Sequence, residues 1–292
     1  MLRSLQIVFT TVIIALITLP LSAQKIEGVV TYKTKTTVDI SRFNRGGEQM
    51  TEQRKKQIME RMKNFLEKEY TLSFNKDESF YKEEERLETP GQGGGRGGRF
   101  GNFTQGGIYS NRATNAYARE NNMVGKTFLV NDTLNNLKWE LVKESKTIGQ
   151  YPVFKAVATR PLEKSLFERM RPNRGGQQAK KEGEGDSEVN VEEPKVETIT
   201  AWYTPMIPAS HGPDEFGGLP GLILELSTNN TTMLCTKVVL NPKERIDIEA
   251  PTKGKKVSRQ EYEEIVAEKA KEMSERFGGQ NRRGQQGGRG RF

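Results

Sequence analysis

Ser210, His211, Asp214 and Glu215 stand close together in "PASHGPDEF", Pro208 to Phe216. A hydroxyl, an imidazole and two carboxylates are the groups of nucleophilic and general acid–base chemistry. His211 is the only histidine of the chain, which removes any multi-histidine zinc site and leaves one candidate general base. Cys235 is the only cysteine, so no disulfide forms within the chain. A hydrolase would pair His211 with Ser210 or Cys235, and a carboxylate metal site would use Asp214 and Glu215. Adjacent positions rarely reach the geometry of a nucleophile–base pair, and no Gly-x-Ser-x-Gly elbow surrounds them. Cys235 lies in the alternating run "TTMLCTKVVL" and reads as a buried, inert thiol. No catalytic residue, metal or cofactor is therefore expected, and His211 is a binding candidate.

The same loop leads into "DEFGGLPGLILEL", Asp214 to Leu226. Two glycine signals and a proline precede a dense aliphatic run. A phosphate loop is excluded, because no Lys-Ser/Thr follows Gly221 and the segment after it reads as a strand rather than a helix. Pro220-Gly221 suits the central positions of a type II turn, where proline presets φ and glycine takes a positive φ at no steric cost. Leu222, Leu224 and Leu226 are then expected on one sheet face, with Ile223 on the other.

The elements around this corner are mostly strands. Lys25 to Ile40 is rich in Val, Thr and Ile and predicts a long first strand, and "EYTLSFNKDESFYKEE" predicts a hairpin about Asn75 to Glu78. Gln49 to Glu69 changes period, placing Ile58, Met62, Phe65 and Leu66 on one stripe of a charged helix. "GKTFLVND", "NLKWELV", "TIGQYPVFKAVATR", "VETITAWYTP", "GLILELS" and "MLCTKVVLNP" predict further strands. A capping box of Ser258 and Glu261 opens a late helix, with Tyr262, Ile265, Val266, Met273 and Phe277 on its apolar face and Gly278-Gly279 as its stop. Hairpin connections in place of crossover helices predict an antiparallel sheet in an α+β domain.

The chain has 292 residues, 34% of them hydrophobic, with 46 Lys+Arg against 38 Asp+Glu and a formal charge of +8. Residues 1–23, with Arg3 before an apolar run and Ala23 at the cut, read as a signal peptide, placing the protein in the periplasm or envelope. Residues 24–277 form a single domain with low-complexity insertions over 90–107 and 171–194, and 278–292 form a Gly/Arg-rich tail without periodicity. The Arg-Gly repeats resemble RNA-binding segments, but export argues against nucleic acid as the physiological partner. Contact with an anionic envelope surface is the reading that suits them.

"AWYTPMIPASHGPDEFGGLPGLILELS" resembles the hallmark of the GLPGLI family, extracytoplasmic proteins of Bacteroidota. Ala201-Trp202-Tyr203-Thr204-Pro205, Ile207-Pro208, Gly212-Pro213, Phe216 and Gly218-Leu219-Pro220-Gly221-Leu222-Ile223 match in order and spacing. Ile148-Gly149, Tyr151 and Lys155-Ala156 resemble a second signature. The resemblance implies location and ancestry rather than a reaction. It also implies a disulfide in members with a cysteine near the place of Val153, which this chain lacks. The strand order is similar to the large, curved, half-open antiparallel sheet of outer-membrane lipoprotein carriers. The expected function is therefore non-catalytic binding of an apolar or peptide ligand, or of an outer-membrane partner. Tyr151, Phe154, Trp202, Tyr203 and His211 are the candidate contacts. An envelope hydrolase using the His211 loop, and an accessory role to a TonB-dependent transporter, are the alternatives. Asp132-Thr133-Leu134 also resembles the Asp-Thr-aliphatic tripeptide that Bacteroidota O-glycosylate.

Overall fold

The computed structural model describes residues 26–38, 51–84, 103–123, 125–161 and 196–283. The expected leader, the 171–194 insertion, most of the 90–107 insertion and the end of the tail lie outside them. Twelve strands form one open sheet: β1 (Gly28–Thr36), β2 (Glu67–Phe74), β3 (Glu78–Glu83), β4 (Phe103–Asn111), β5 (Ala116–Met123), β6 (Lys126–Thr133), β7 (Glu140–Ile148), β8 (Tyr151–Pro161), β9 (Val196–Thr204), β10 (Leu222–Ser227), β11 (Thr231–Leu240) and β12 (Lys255–Val257). Their order is β12-β6-β5-β4-β3-β2-β1-β11-β10-β9-β8-β7. Every pairing is antiparallel except β12 with β6. Two helices, α1 (Glu52–Leu66) and α2 (Arg259–Arg283), complete the described residues.

Two meanders, β1 to β6 and β7 to β11, meet where β1 pairs with β11. The link between them shows that the sheet must curl. Strands β6 and β7 lie ten steps apart in the sheet, about 48 Å if it were flat at about 4.8 Å per step. The chain from Thr133 to Glu140 covers at most about 25 Å. The two ends therefore approach each other and the sheet forms a trough, as expected of a half-barrel.

Register sets the trough floor. Val30 faces Leu72, which faces Tyr81 and then Ile108, and Phe128 and Val130 continue the same face through β5. These residues are buried in one apolar cluster. On α2, Val266 is buried in that cluster, with Tyr262 and Ile265 packed against it, and the Tyr262 ring meets Phe128 edge-on at 5.7 Å. The charged α1 stripe is shallower, with Ile58 and Met62 half-buried and Leu66 buried. Among the described residues no helix is long and apolar enough to cross a membrane.

The capping box forms as expected: Glu261 N–H donates to Ser258 Oγ at 3.1 Å, and Ser258 N–H donates to Glu261 Oε2 at 2.8 Å. Replacing Ser258 by Ala should cost about 1 kcal/mol of stability, measured as a shift in urea midpoint. Helix α1 is shorter than the expected Gln49 to Glu69, since β2 already begins at Glu67, and three further boundaries differ from expectation. Strand β4 begins at Phe103, inside the glycine-rich stretch expected to lack regular structure, with a bulge between Gln105 and Ile108 accommodating the glycines. Helix α2 continues past Gly278-Gly279 to Arg283, since glycine lowers helix propensity by only about 1 kcal/mol. Strand β7 starts after "NLKW", so Leu137 and Trp139 pack as loop residues against a second apolar cluster.

Candidate functional site

The segment from Pro205 to Gly221 leaves β9, crosses the trough and returns to β10. It is a loop, but an unusually buried one: Ile207, Ala209, His211, Phe216 and Leu219 are all within the core. Long-range polar bonds hold it. The His211 Nε2–H donates to the Asn75 carbonyl in the β2–β3 turn at 3.1 Å, and the ring lies 6.0 Å from Phe74. Trp139 Nε1–H donates to the Gly217 carbonyl at 2.9 Å, and Arg112 from the β4–β5 turn donates to the Glu215 carbonyl at 3.2 Å. The Glu215 carboxylate accepts from Arg259 of α2 at 2.9 Å and pairs with Arg160 of β8 at 3.7 Å. Arg259 also lies over the Tyr117 ring, 4.4 Å from its centre, and its N–H donates to Asp132 at 2.9 Å. The loop is thus tied to both meanders and to α2.

The signature glycines permit this closeness. A Cβ on Gly217 would lie 2.1 Å from Arg112 Nη2, one on Gly212 would lie 2.8 Å from Ile223 Cδ1, and one on Gly221 would lie 2.2 Å from the Thr204 carbonyl oxygen. The corner itself is tighter than the expected type II turn. Gly221 N–H donates to Leu219 O at 2.8 Å, a γ-turn about Pro220, while Leu222 N–H goes to Ile207 O at 3.0 Å. The aliphatic run is a strand and is buried as expected, but a bulge between Ile223 and Glu225 changes its facing. Leu222 and Leu224 join the first cluster, and Leu226 joins Ile223 in the second.

Burial governs the titratable groups here. His211 is 1% exposed. Burial first, then the Arg112 charge, lowers its pKa to about 4, against weaker support from the Asn75 and Lys76 carbonyls and Asp77. It is neutral, with its proton on Nε2 and Nδ1 buried without a partner. Burial lifts the Asp214 carboxyl above the usual range despite Arg119, Arg160 and Arg259 nearby. Asp214 also takes a left-handed φ of 58°, unusual for a residue with a side chain. Cys235 is half-buried rather than buried as expected, and that burial still pushes its thiol up to about 11.

The remaining candidates are scattered. Tyr203 is core, its ring 6.3 Å from Phe154, which stays 42% exposed. Tyr151 and Trp202 are half-buried against the first cluster, and Lys146 Nζ sits 4.3 Å above the Trp202 ring. Thr133 is exposed at the end of β6, while Asp132 beside it anchors α2. Reasoning from sequence missed Arg112, Arg160, Arg259 and Trp139, which lie in a turn, near the end of β8, at the start of α2 and just before β7 and share no local signal.

Residues 139–225 match the family model described as "Protein of unknown function (Porph_ging)". That match runs from the start of β7 into β10 and takes in the whole buried loop. No curated protein matches the chain. Two solved structures of PNGF-II, in space groups C2 and P21, each align at TM-score 0.46 and 14% identity over 82% of this chain. The chain spans 32% and 33% of theirs, about a third of their length.

Proposed function

We propose that this is a non-catalytic envelope protein of the GLPGLI type from Bacteroidota, exported by its leader, that binds an extended peptide segment of an envelope partner. The partner would add a strand to β7. One observation carries this reading: β7 is the last strand of the sheet, and its outer edge is flanked by exposed apolar side chains. Leu141 is 63% exposed and Phe154 42%, and register puts both on one face, Leu141 opposite Ala156 and Ser145 opposite Phe154. Pro152, which has no N–H, stands opposite Thr147. That pair is therefore non-hydrogen-bonded, and the Thr147 N–H and carbonyl point to the free edge. Main-chain bonds to such an edge supply affinity, and alternate side chains supply selectivity.

The hydrolase alternative loses support because His211 is buried and its Nε2 is committed to a backbone carbonyl. A carboxylate metal site on Asp214 and Glu215 meets a similar obstacle, because Glu215 is held by arginines. An outer-membrane transporter is the partner class that suits an accessory protein at this location. Contact with anionic envelope surfaces falls to the Arg/Gly segments.

Peptides selected against the protein from a random library should share alternating apolar positions. On binding they should protect the Ser145 and Thr147 amides from hydrogen exchange. Thr147→Pro, which removes an outward N–H without breaking a ladder bond, and Phe154→Asp should each weaken binding about tenfold or more. Binding that is indifferent to both changes removes the edge from the proposal.

A further inference from the structure

The trough floor beside the buried loop carries a second, independent feature. Tyr81 on β3, Ile108 on β4 and Arg119 on β5 lie in one row across the sheet, and Tyr117 and Asn121 flank Arg119 on the same face of β5. Tyr70 stacks on Tyr81 with rings 4.8 Å apart and nearly parallel. Asp214 of the loop acts electrostatically on Tyr70, Tyr81 and Tyr117, and Arg119 is the charge that acts most strongly on Asp214. The Tyr81 hydroxyl and Asn121 Oδ1 are buried here without a hydrogen-bond partner, on residues each only 5% exposed.

Leaving such atoms unpaired forfeits the hydrogen bonds that water gave them in the unfolded chain, a loss that a structure sustains readily when a ligand satisfies them. We infer that this part of the trough is a binding site for a neutral, hydroxyl-rich ligand, a saccharide or related polyol. The chemistry selects that class. Asn121 Oδ1 requires a donor, whereas Tyr81 can donate or accept, and hydroxyl groups meet both demands. Tyr81 is buried, so it is the half-buried Tyr70 ring stacked on it that offers an apolar face to ring C–H groups. Arg119 disfavours a cationic ligand, and Asp214 and Glu215 disfavour an anionic one. The local backbone strain at Asp214 is of the kind held at ligand sites.

Saturation-transfer NMR on the full chain tests this with D-glucose, N-acetyl-D-glucosamine and myo-inositol as probes, and acetate and tetramethylammonium as charged controls. At least one polyol should receive saturation at millimolar concentration, and the controls should receive none. Tyr81→Phe removes only the orphan hydroxyl, so the fold should be retained or stabilised while polyol binding weakens about tenfold. Asn121→Ala should act likewise. The site is refuted by silence from all three polyols, by transfer to a charged control alone, or by binding that Tyr81→Phe leaves unchanged.

Discussion

Gly221→Ala should be among the most damaging single substitutions in this chain, lowering stability by about 3–5 kcal/mol. Two effects act together. The φ of 155° is a conformation that L side chains rarely adopt, and the new Cβ would lie 2.2 Å from the Thr204 oxygen and 2.6 Å from its carbonyl carbon. Backbone at that distance cannot swing aside as a side-chain tip can. Relief would shift β9 against β10, where Leu222, Ile223, Leu224 and Leu226 are buried on both faces of the sheet. Gly149 supplies the control. It has a φ of 59° in the two-residue β7–β8 turn and open space around it, so Gly149→Ala should cost only about 1–2 kcal/mol. Urea midpoints of the two variants should separate clearly. Equal losses would falsify the view that close approach, rather than φ alone, dictates glycine at 221.

The contrast shows what a linear reading could and could not extract. Strands with apolar alternation on a simple period, such as β1 and β2, were legible, because one face meets the core and the other meets water. The hairpin about Asn75 was legible from its turn residues: Asn75 Oδ1 accepts from the Asp77 and Glu78 N–H groups. The corner at Pro220-Gly221 was recognised as a corner. Its turn type was not, because the Leu222 N–H that a type II turn would use is claimed by Ile207, a tertiary contact no local rule contains. Leu226 changed sides for a similar reason, since a bulge is a property of the pair β9–β10 and not of either strand.

Of the strands that went unread, β4, β5 and the short β12, the first two fail the hydrophobic test for a reason that bears on function. Their trough-facing positions include Ser110, Tyr117, Arg119 and Asn121, so the inward face is partly polar and the period-two signal is lost. Local rules break where a fold carries a cost it must recover elsewhere. Here that place coincides with the orphaned Tyr81 hydroxyl and Asn121 oxygen. The candidate site was likewise half legible. His211, Asp214 and Glu215 stood out by residue type. Their partners Arg112, Arg160 and Arg259 come from three distant segments and meet only when the sheet curls.

His211 should make the fold acid-labile above the range where carboxylates titrate. Its unfolded pKa is about 6.5, and burial beside Arg112 brings the folded value down to about 4. A depressed histidine pKa means that the unfolded chain binds the proton first. Stability is therefore complete above about pH 6.5 and falls as pH drops toward about 4. The difference amounts to about 3 kcal/mol. Asp214 acts in the opposite sense, because a raised carboxyl pKa relieves a penalty as pH falls. Glu78 and Asp132, whose pKa values are lowered, lose their contributions only at the acid end of this window. Comparing His211→Gln with the parent chain isolates the imidazole, since glutamine keeps an N–H donor for the Asn75 carbonyl and cannot titrate. Urea midpoints measured at half-unit steps from pH 4.5 to 7 should slope for the parent and be nearly level for the variant. Parallel slopes would mean that the imidazole is not held neutral by its burial. The histidine of the signature would then have to be accessible to solvent or substrate after all, and the case against hydrolysis would lose its main support.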